Sequence, residues 1–548
     1  MEIIKITGAD LTIEQVAEVA HYKTQIALGD LEKVRRSVEY INRKVANNEV
    51  IYGVTTGFGP NADKIIAPEF AKQLQINLLR SHSAGVGKNF PSATVRAIML
   101  IRLNTLLKGF SGVRVETVEA LRDFINYEIH PLVPEQGSVG ASGDLCPLSH
   151  IALALIGEGY VEFAGTEYKT ADFFELDEIK EKGLKPLELS YKEGIALNNG
   201  TTVMAALGVF AVDEFEKLLK LATLSTALML EAFCARKTAF DEKVNAVRNH
   251  AEQIKIAEWI RIFTKDSDFL GISPESLRGK YDELAKLKIK PQDAYSFRCI
   301  PQVFGASFQA LNHARNIFAN EINAVVDNPI IFVDEDEIIS GGNFHGQPLA
   351  LALDYLKLAI AEVGNIVERQ INKLVDKATN DLLEPFLVYD ENCVNSGLMI
   401  PQYTAASLVS ENKVLVHPAS ADSIPTSANT EDHVSMGTIA GRQALQILGN
   451  VKYIVTIAIL TAHHAMEIRK NQFAERGIEA KMSKATSELF NEIKSVVPDF
   501  KGDRFLHEDR FLFEDIRDLS DNYDRFTEIA EKNLREEMCP QMDTDEHR

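Results

Sequence analysis

Cysteine and positive charge are both scarce in this chain, and each shortage excludes a class of protein. The five cysteines among 548 residues, Cys146, Cys234, Cys299, Cys393 and Cys539, are scattered and odd in number. No two stand at metal-ligand spacing, so neither a disulfide-stapled scaffold nor a cysteine zinc site is expected, and a reducing compartment is the simpler setting. Acidic residues outnumber basic ones to give a net charge of −21. Phosphate binding needs a basic footprint, which argues against a nucleic-acid partner. The opening Met1-Glu2-Ile3-Ile4-Lys5 starts no charged-then-apolar secretory pattern, so a cytoplasmic location is expected. The most apolar run, Tyr453 to Ala462, is short and flanked by Lys452 and His463. It reads as a buried helix rather than a membrane span.

What is present is helical period. Leu31, Val34, Val38, Ile41 and Val45 recur every three or four residues after a cap at Asp30, and Thr12 with Gln15 has the form of a capping box. Longer helical runs cover 93–108, 201–237, 302–324, 348–383 and 440–470, and several are apolar on more than one face. Strand signals are few: 160–168 and 330–339 read as small hairpins. No Pro-, Gly- or Ser-rich linker divides the chain. The expected architecture is mainly α, a long central helix bundle with an N-terminal α-rich part. By sequence order this gives 1–200 as the N-terminal part, 201–535 as the bundle, and 536–548 as an acidic, mobile tail.

Residues 137 to 145 read Gly137-Ser138-Val139-Gly140-Ala141-Ser142-Gly143-Asp144-Leu145. Small residues there let the backbone fold onto itself. If the Gly143 amide nitrogen attacks the Ala141 carbonyl and two waters leave, Ser142 becomes the exocyclic methylene of a 4-methylidene-imidazole-5-one. The alternative, a phosphate-cradling loop, lacks the Gly-Lys-Ser/Thr ending and the dinucleotide spacing. The pairs His463-His464 and His417 with His433 likewise have no recognised ligand spacing, and no metal is expected.

Further motifs accompany the loop: Ile51-Tyr52-Gly53-Val54-Thr55-Thr56-Gly57-Phe58-Gly59, Arg80-Ser81-His82-Ser83-Ala84-Gly85-Val86-Gly87, Gln292-Asp293-Ala294-Tyr295-Ser296-Phe297-Arg298-Cys299, Ser340-Gly341-Gly342-Asn343-Phe344-His345, and His417-Pro418-Ala419-Ser420 with Glu431-Asp432-His433-Val434-Ser435-Met436. In content and order these resemble the aromatic amino acid ammonia-lyase family, most closely its histidine-acting branch. The resemblance implies a methylidene-imidazolone made from Ala141, Ser142 and Gly143 with no external cofactor. It also implies a homotetramer whose active sites combine residues of different subunits, acting on a small amino acid.

The expected reaction removes ammonia from L-histidine to give trans-urocanate. An electrophile that bonds to the substrate amine improves a poor leaving group. The resemblance assigns the β-proton to Tyr52, a phenol that needs nearby donors or positive charge to act as a base at neutral pH. Arg298 is the candidate partner of the substrate carboxylate, because guanidinium offers a planar two-point fork. Tyr295, three residues earlier, shares a helical face with it and relays a proton at the amine. By the same resemblance, Asn199 and Asn328 are expected to orient the prosthetic ring or substrate, Gln292 and Phe344 to shape the pocket, and His82 and Glu431 to contact the imidazole. A carboxylate and an imidazole together can bond a ring with one donor and one acceptor.

Two positions depart from the family pattern. Asn198 stands where an aliphatic residue is usual, and Thr430 where a Gln normally precedes the glutamate. Both bear on substrate choice, so a tyrosine or phenylalanine ammonia-lyase, or an aromatic 2,3-aminomutase on the same scaffold, stays open as the alternative.

Overall fold

The computed structural model describes residues 3–271, 292–388, 391, 392, 394–497, 502–506 and 520–538. The expectation of a mainly α chain holds: four long helices, Thr202–Ala232, Ile300–Glu321, Gln347–Val375 and Gly437–Ala474, contribute a large part of the core. Both expected hairpins form, Tyr160–Phe163 with Thr166–Lys169 and Ile330–Phe332 with Glu337–Ile339.

The ends of the long helices have local causes. The run expected to reach residue 237 stops at Ala232, because Cys234 adopts a left-handed φ of 51°. The run expected to reach 383 stops at Val375, and Asp381 and Leu382 beyond it are left-handed. The apolar segment 453–462 lies inside Gly437–Ala474, a helix long and apolar enough to cross a membrane. Yet 67% of its most apolar window is buried inside the protein, so it reads as a core helix.

Two compact units divide the chain without following sequence order. The first contains 1–213, 313–355 and 418–445; the second contains 214–312, 356–417 and 446–548. In the first unit a parallel pair, Ile4–Ile6 with Ile26–Leu28, precedes helices that converge on the loops of the site. Thr12 and Gln15 form the expected reciprocal capping box. Asp30 accepts from Glu32 N at 3.0 Å, but the residue in the cap position of Glu32–Ala46 is Leu31. Within the buried helix Ser92–Leu107, Arg96 satisfies its guanidinium on the carbonyls of Val19 and Ile125.

In the second unit, the helix Lys484–Val496 is capped by Ser483, whose amide donates to Glu231 Oε1 at 2.9 Å. Burial pushes the Glu231 carboxyl up to about 7. His463 and His464 are buried over Glu467, with Lys494 beside the same carboxylate. The helix Ser520–Met538 includes Glu536 and Glu537, the first residues of the segment expected to be mobile, and pairs them with Lys484 and Lys265. Residues 539–548 lie outside the described residues. Cys146, Cys234 and Cys299 form no disulfide among the described residues, whereas Cys393 and Cys539 lie outside the described residues.

Helices apolar on more than one face need cover on several sides, and Thr202–Ala232 finds it within the single chain, where its apolar side chains are buried. Gln347–Val375 differs, exposing Leu351, Tyr355 and Leu358.

Candidate active site

The glycine-punctuated loop is held from three sides within the first unit. Gly143 has φ +74°, and a Cβ on it would lie 2.1 Å from the carbonyl oxygen of Gly200, so only glycine fits. The two glycines pair through Asp144 N to Gly200 O at 2.7 Å and Gly200 N to Ser142 O at 3.2 Å. On the opposite side, Met436 N donates to Val139 O at 2.9 Å and Ser435 Oγ to Gly140 O at 3.1 Å. Asp144, fully buried, supplies the third anchor. Its carboxylate accepts from Ser138 Oγ, from Thr438 Oγ1, and from the amides of Val203 and Met204 at the start of Thr202–Ala232. Burial pushes its carboxyl up to about 6 despite those donors, and the helix N-terminus is a natural seat for the anion.

A cavity of about 450 Å³ opens on this loop. Its wall brings together Tyr52, His82, Ala141, Ser142, Asn199, Asn328, Phe344 and Glu431, eight of the residues singled out from the sequence. Gly143 lines an adjoining cavity that also includes His82, Ser138, Ala141 and Glu431. Volumes of this order suit an amino acid.

Tyr52 sits in a turn supported by Gln75, a buried side chain that donates to Gly53 O at 3.0 Å and accepts from Ile195 N at 3.1 Å. Its hydroxyl oxygen accepts from Gly59 N at 3.2 Å, and Phe58 meets the ring edge-on. Ser142 Oγ donates to Glu431 Oε1 at 2.7 Å, while Thr426 Oγ1 donates to Oε2 at 2.8 Å. The turn before Glu431 is strained: Ser427, Ala428 and Asn429 have φ of 50°, 52° and 65°, left-handed values that L-residues adopt at a cost. Burial lowers the pKa of His82, so its imidazole is neutral at pH 7; the nearby Glu431 charge opposes the shift only in part. Ser81 Oγ lies 2.9 Å from its Nδ1. With its amide turned to suit both neighbours, Asn199 donates to Ser142 O at 2.9 Å.

Three expected site residues lie in neither wall. Gln292, Tyr295 and Arg298 belong to the second unit. Gln292 and Tyr295 are exposed, Tyr295 by 70%. The short helix Tyr295–Arg298 is fixed by stacking of Phe297 on Phe233, by Gln370 donating to Ser296 O, and by Arg236 N donating to Asp293. Arg298 and Tyr295 do share a face, the guanidinium carbon lying 4.5 Å from the ring centroid. Among the described residues, the cavity wall contains no Lys or Arg.

The wall also holds residues given no role from the sequence. His345 and His433 stack with parallel rings 5.7 Å apart, and Phe58, Gly59, Leu78, Leu145, Ile195, Ser427 and Asp432 line it too, beside Asn198 and Thr430. Both histidines lie in quoted motifs, which was the available signal. Gln75 had none.

An aromatic amino acid lyase model matches residues 11–495, and the chain belongs to this family of carbon–nitrogen lyases. Among named relatives, it is 46% identical to the histidine ammonia-lyase of Bacillus subtilis over 92% of this chain and 94% of that one. It is 45% identical to the histidine ammonia-lyase of Chloroflexus aurantiacus, again over 92% and 94%. Among solved structures, the tyrosine aminomutase of Streptomyces globisporus matches with a TM-score of 0.86 and 35% identity, covering 97% and 98% of the two chains. Histidine ammonia-lyase from Trypanosoma cruzi matches at 0.83 and 33%, covering 98% and 94%. Backbone likeness thus spans lyases and aminomutases, while the two sequence relatives named above are histidine ammonia-lyases.

Proposed function

We propose that this chain eliminates ammonia from L-histidine to give trans-urocanate, using an electrophile formed from Ala141, Ser142 and Gly143. The single observation carrying the reading is that Tyr52, His82, Ser142 and Glu431 converge on one cavity. The tripeptide fits the cyclised group. Among the described residues the Gly143 amide has no hydrogen-bond acceptor, and Asn199 and Gly200 both donate to the Ser142 carbonyl. Such a group supplies an electron-poor methylene that takes up the substrate amine and turns it into a better leaving group.

The remaining work falls to side chains. Tyr52 removes the β-proton, its oxygen steadied by the Gly59 amide. Glu431 accepts from the imidazole N–H, and neutral His82 offers the complementary donor or acceptor. Since no described residue of the wall is a Lys or Arg, the substrate carboxylate needs a cation from elsewhere. We assign it to Arg298 of the partner subunit in a homotetramer, with Tyr295 and Gln292 arriving on the same segment. Arg298 has no ion-pair partner among the described residues, and Tyr295 is exposed where a copy could cover it. Leu351, Tyr355 and Leu358, spaced at i, i+4 and i+7 on one helix face, form an exposed apolar stripe suited to such assembly. Three cysteines outside any disulfide among the described residues fit a cytoplasmic setting.

Incubation with histidine, tyrosine and phenylalanine separately, followed by ultraviolet absorption, tests the reading. Urocanate from histidine is the expected product. Cinnamate-type acids alone would transfer the chain to the tyrosine or phenylalanine lyases, and a β-amino acid by chromatography would make it an aminomutase.

A further inference from the structure

Two arginines on the buried helix Ser92–Leu107 are satisfied very differently. Arg96 spreads three guanidinium bonds over the carbonyls of Val19 and Ile125. Arg102, also buried, makes one bond, from Nη2 to Ala196 O, while its Nε and Nη1 have no acceptor among the described residues. Burial pushes its pKa down only to about 10, so it stays charged at pH 7. The nearby opposite charge is Asp327, whose carboxylate is paired with the buried Lys192 ammonium at 2.7 Å. Two buried cations thus share one carboxylate. Asp144 and Glu321 form no ion pair with Arg102 among the described residues; they accept instead from Ser138, Thr438 and Thr201. A buried charge with so few partners is costly, and an apolar side chain would avoid that cost.

The place of the guanidinium accounts for its retention. A Cβ on Gly200 would meet Arg102 Nη1 at 2.7 Å, so glycine there makes room for it. The guanidinium therefore lies against Asn199-Gly200, whose side-chain amide and backbone N–H both donate to Ser142 O. In the cyclised group that oxygen belongs to the ring carbonyl, conjugated with the methylene. When an amine bonds to the methylene carbon, the C=C pair shifts into the ring and the carbonyl π pair moves onto this oxygen. The nitrogen is left positive with its protons and the oxygen negative; breaking the same carbon–nitrogen bond reverses both shifts. We propose that Arg102 is a positioning residue for the electrophile, holding an unpaired positive charge beside the Asn199-Gly200 seat so that electron density moves more readily onto the Ser142 oxygen. A fixed charge in a site closed to water acts strongly and needs no reorganisation at the moment of reaction.

The inference rests on the electrophile read from Ala141-Ser142-Gly143 and fails separately from it. Intact mass of wild-type protein comes first, and a mass without the loss of two waters overturns the electrophile itself. With cyclisation established, wild type, Arg102→Gln and Arg102→Lys are compared per cyclised chain. The readouts are kcat and KM for histidine, and the rate at which hydroxylamine, a neutral nucleophile, adds to the methylene, followed by ultraviolet absorption. Arg102→Gln is expected to lower kcat and the hydroxylamine rate by about 10-fold or more, with KM within about 3-fold of wild type. Arg102→Lys keeps the charge and is expected to recover most of both rates. A buried ammonium gives up its proton more readily than a guanidinium, so kcat of Arg102→Lys should fall at an alkaline pH where wild type still turns over. A hydroxylamine rate in Arg102→Gln within about 2-fold of wild type, or Arg102→Lys as slow as Arg102→Gln at every pH, overturns the role of the charge. Should Arg102→Gln fail to fold or cyclise, the alkaline limb of Arg102→Lys decides, and a pH profile superposable on wild type overturns the proposal.

Discussion

The Ser142 hydroxyl donates to Glu431 Oε1 at 2.7 Å across 289 residues of chain. That bond belongs only to the uncyclised tripeptide. Dehydration of Ser142 removes the hydroxyl and leaves Glu431 Oε1 without its donor, while Thr426 Oγ1 still holds Oε2 at 2.8 Å. Maturation therefore releases, at the cavity wall, one anionic acceptor on a side chain that stays anchored.

Glu431→Gln should raise the cost of binding an imidazole more than that of a phenyl ring, because it exchanges an anionic acceptor for a neutral amide. The expected loss in kcat/KM for histidine is about 10-fold or more. Competitive inhibition by phenylalanine serves as the control, and equal losses would show that Glu431 does not read the ring.

Tyr52→Phe should lower kcat by about 100-fold or more while assembly is retained, since the Gly59 amide loses one acceptor and the cavity keeps its shape. Arg298→Ala should be impaired through the carboxylate. If the two residues serve one site from different subunits, mixing the two inactive proteins under subunit exchange should restore part of the activity. Mixtures as inactive as either parent would place both residues in sites built from a single chain.

Burial holds His82 below the ordinary histidine value of 6.5, so it is neutral at pH 7 and gains charge only as the pH falls below that value. Protonation removes its ability to accept from the substrate ring. The kcat/KM profile should fall on the acid side, and His82→Gln should keep only the part due to titration of histidine itself. Identical acid limbs in the two enzymes would remove His82 from ring recognition.

The helical architecture and the loop were legible because their signals are local. Period, the Thr12–Gln15 box and the hairpin at 160–169 each depend on neighbours in sequence. The motifs bearing Tyr52, His82, Ser142 and Glu431 each lie in one stretch of sequence, and all four residues line one cavity. Contacts between distant positions were not legible. Gln75, which braces the Tyr52 turn, stands in no motif. The four-donor seat of Asp144 is assembled from residues 138, 203, 204 and 438. The compact units cut through the long helices, a division set by packing rather than by composition.

The most direct measurement is the intact mass of protein that produces urocanate. Cyclisation at Ala141-Ser142-Gly143 predicts a chain lighter than its sequence by the mass of two water molecules, with the cyclised-group deficit absent from Ser142→Ala and turnover largely lost in that variant. Active protein with the full mass of its sequence, or near-normal turnover in Ser142→Ala, would contradict the electrophile on which the chemistry depends.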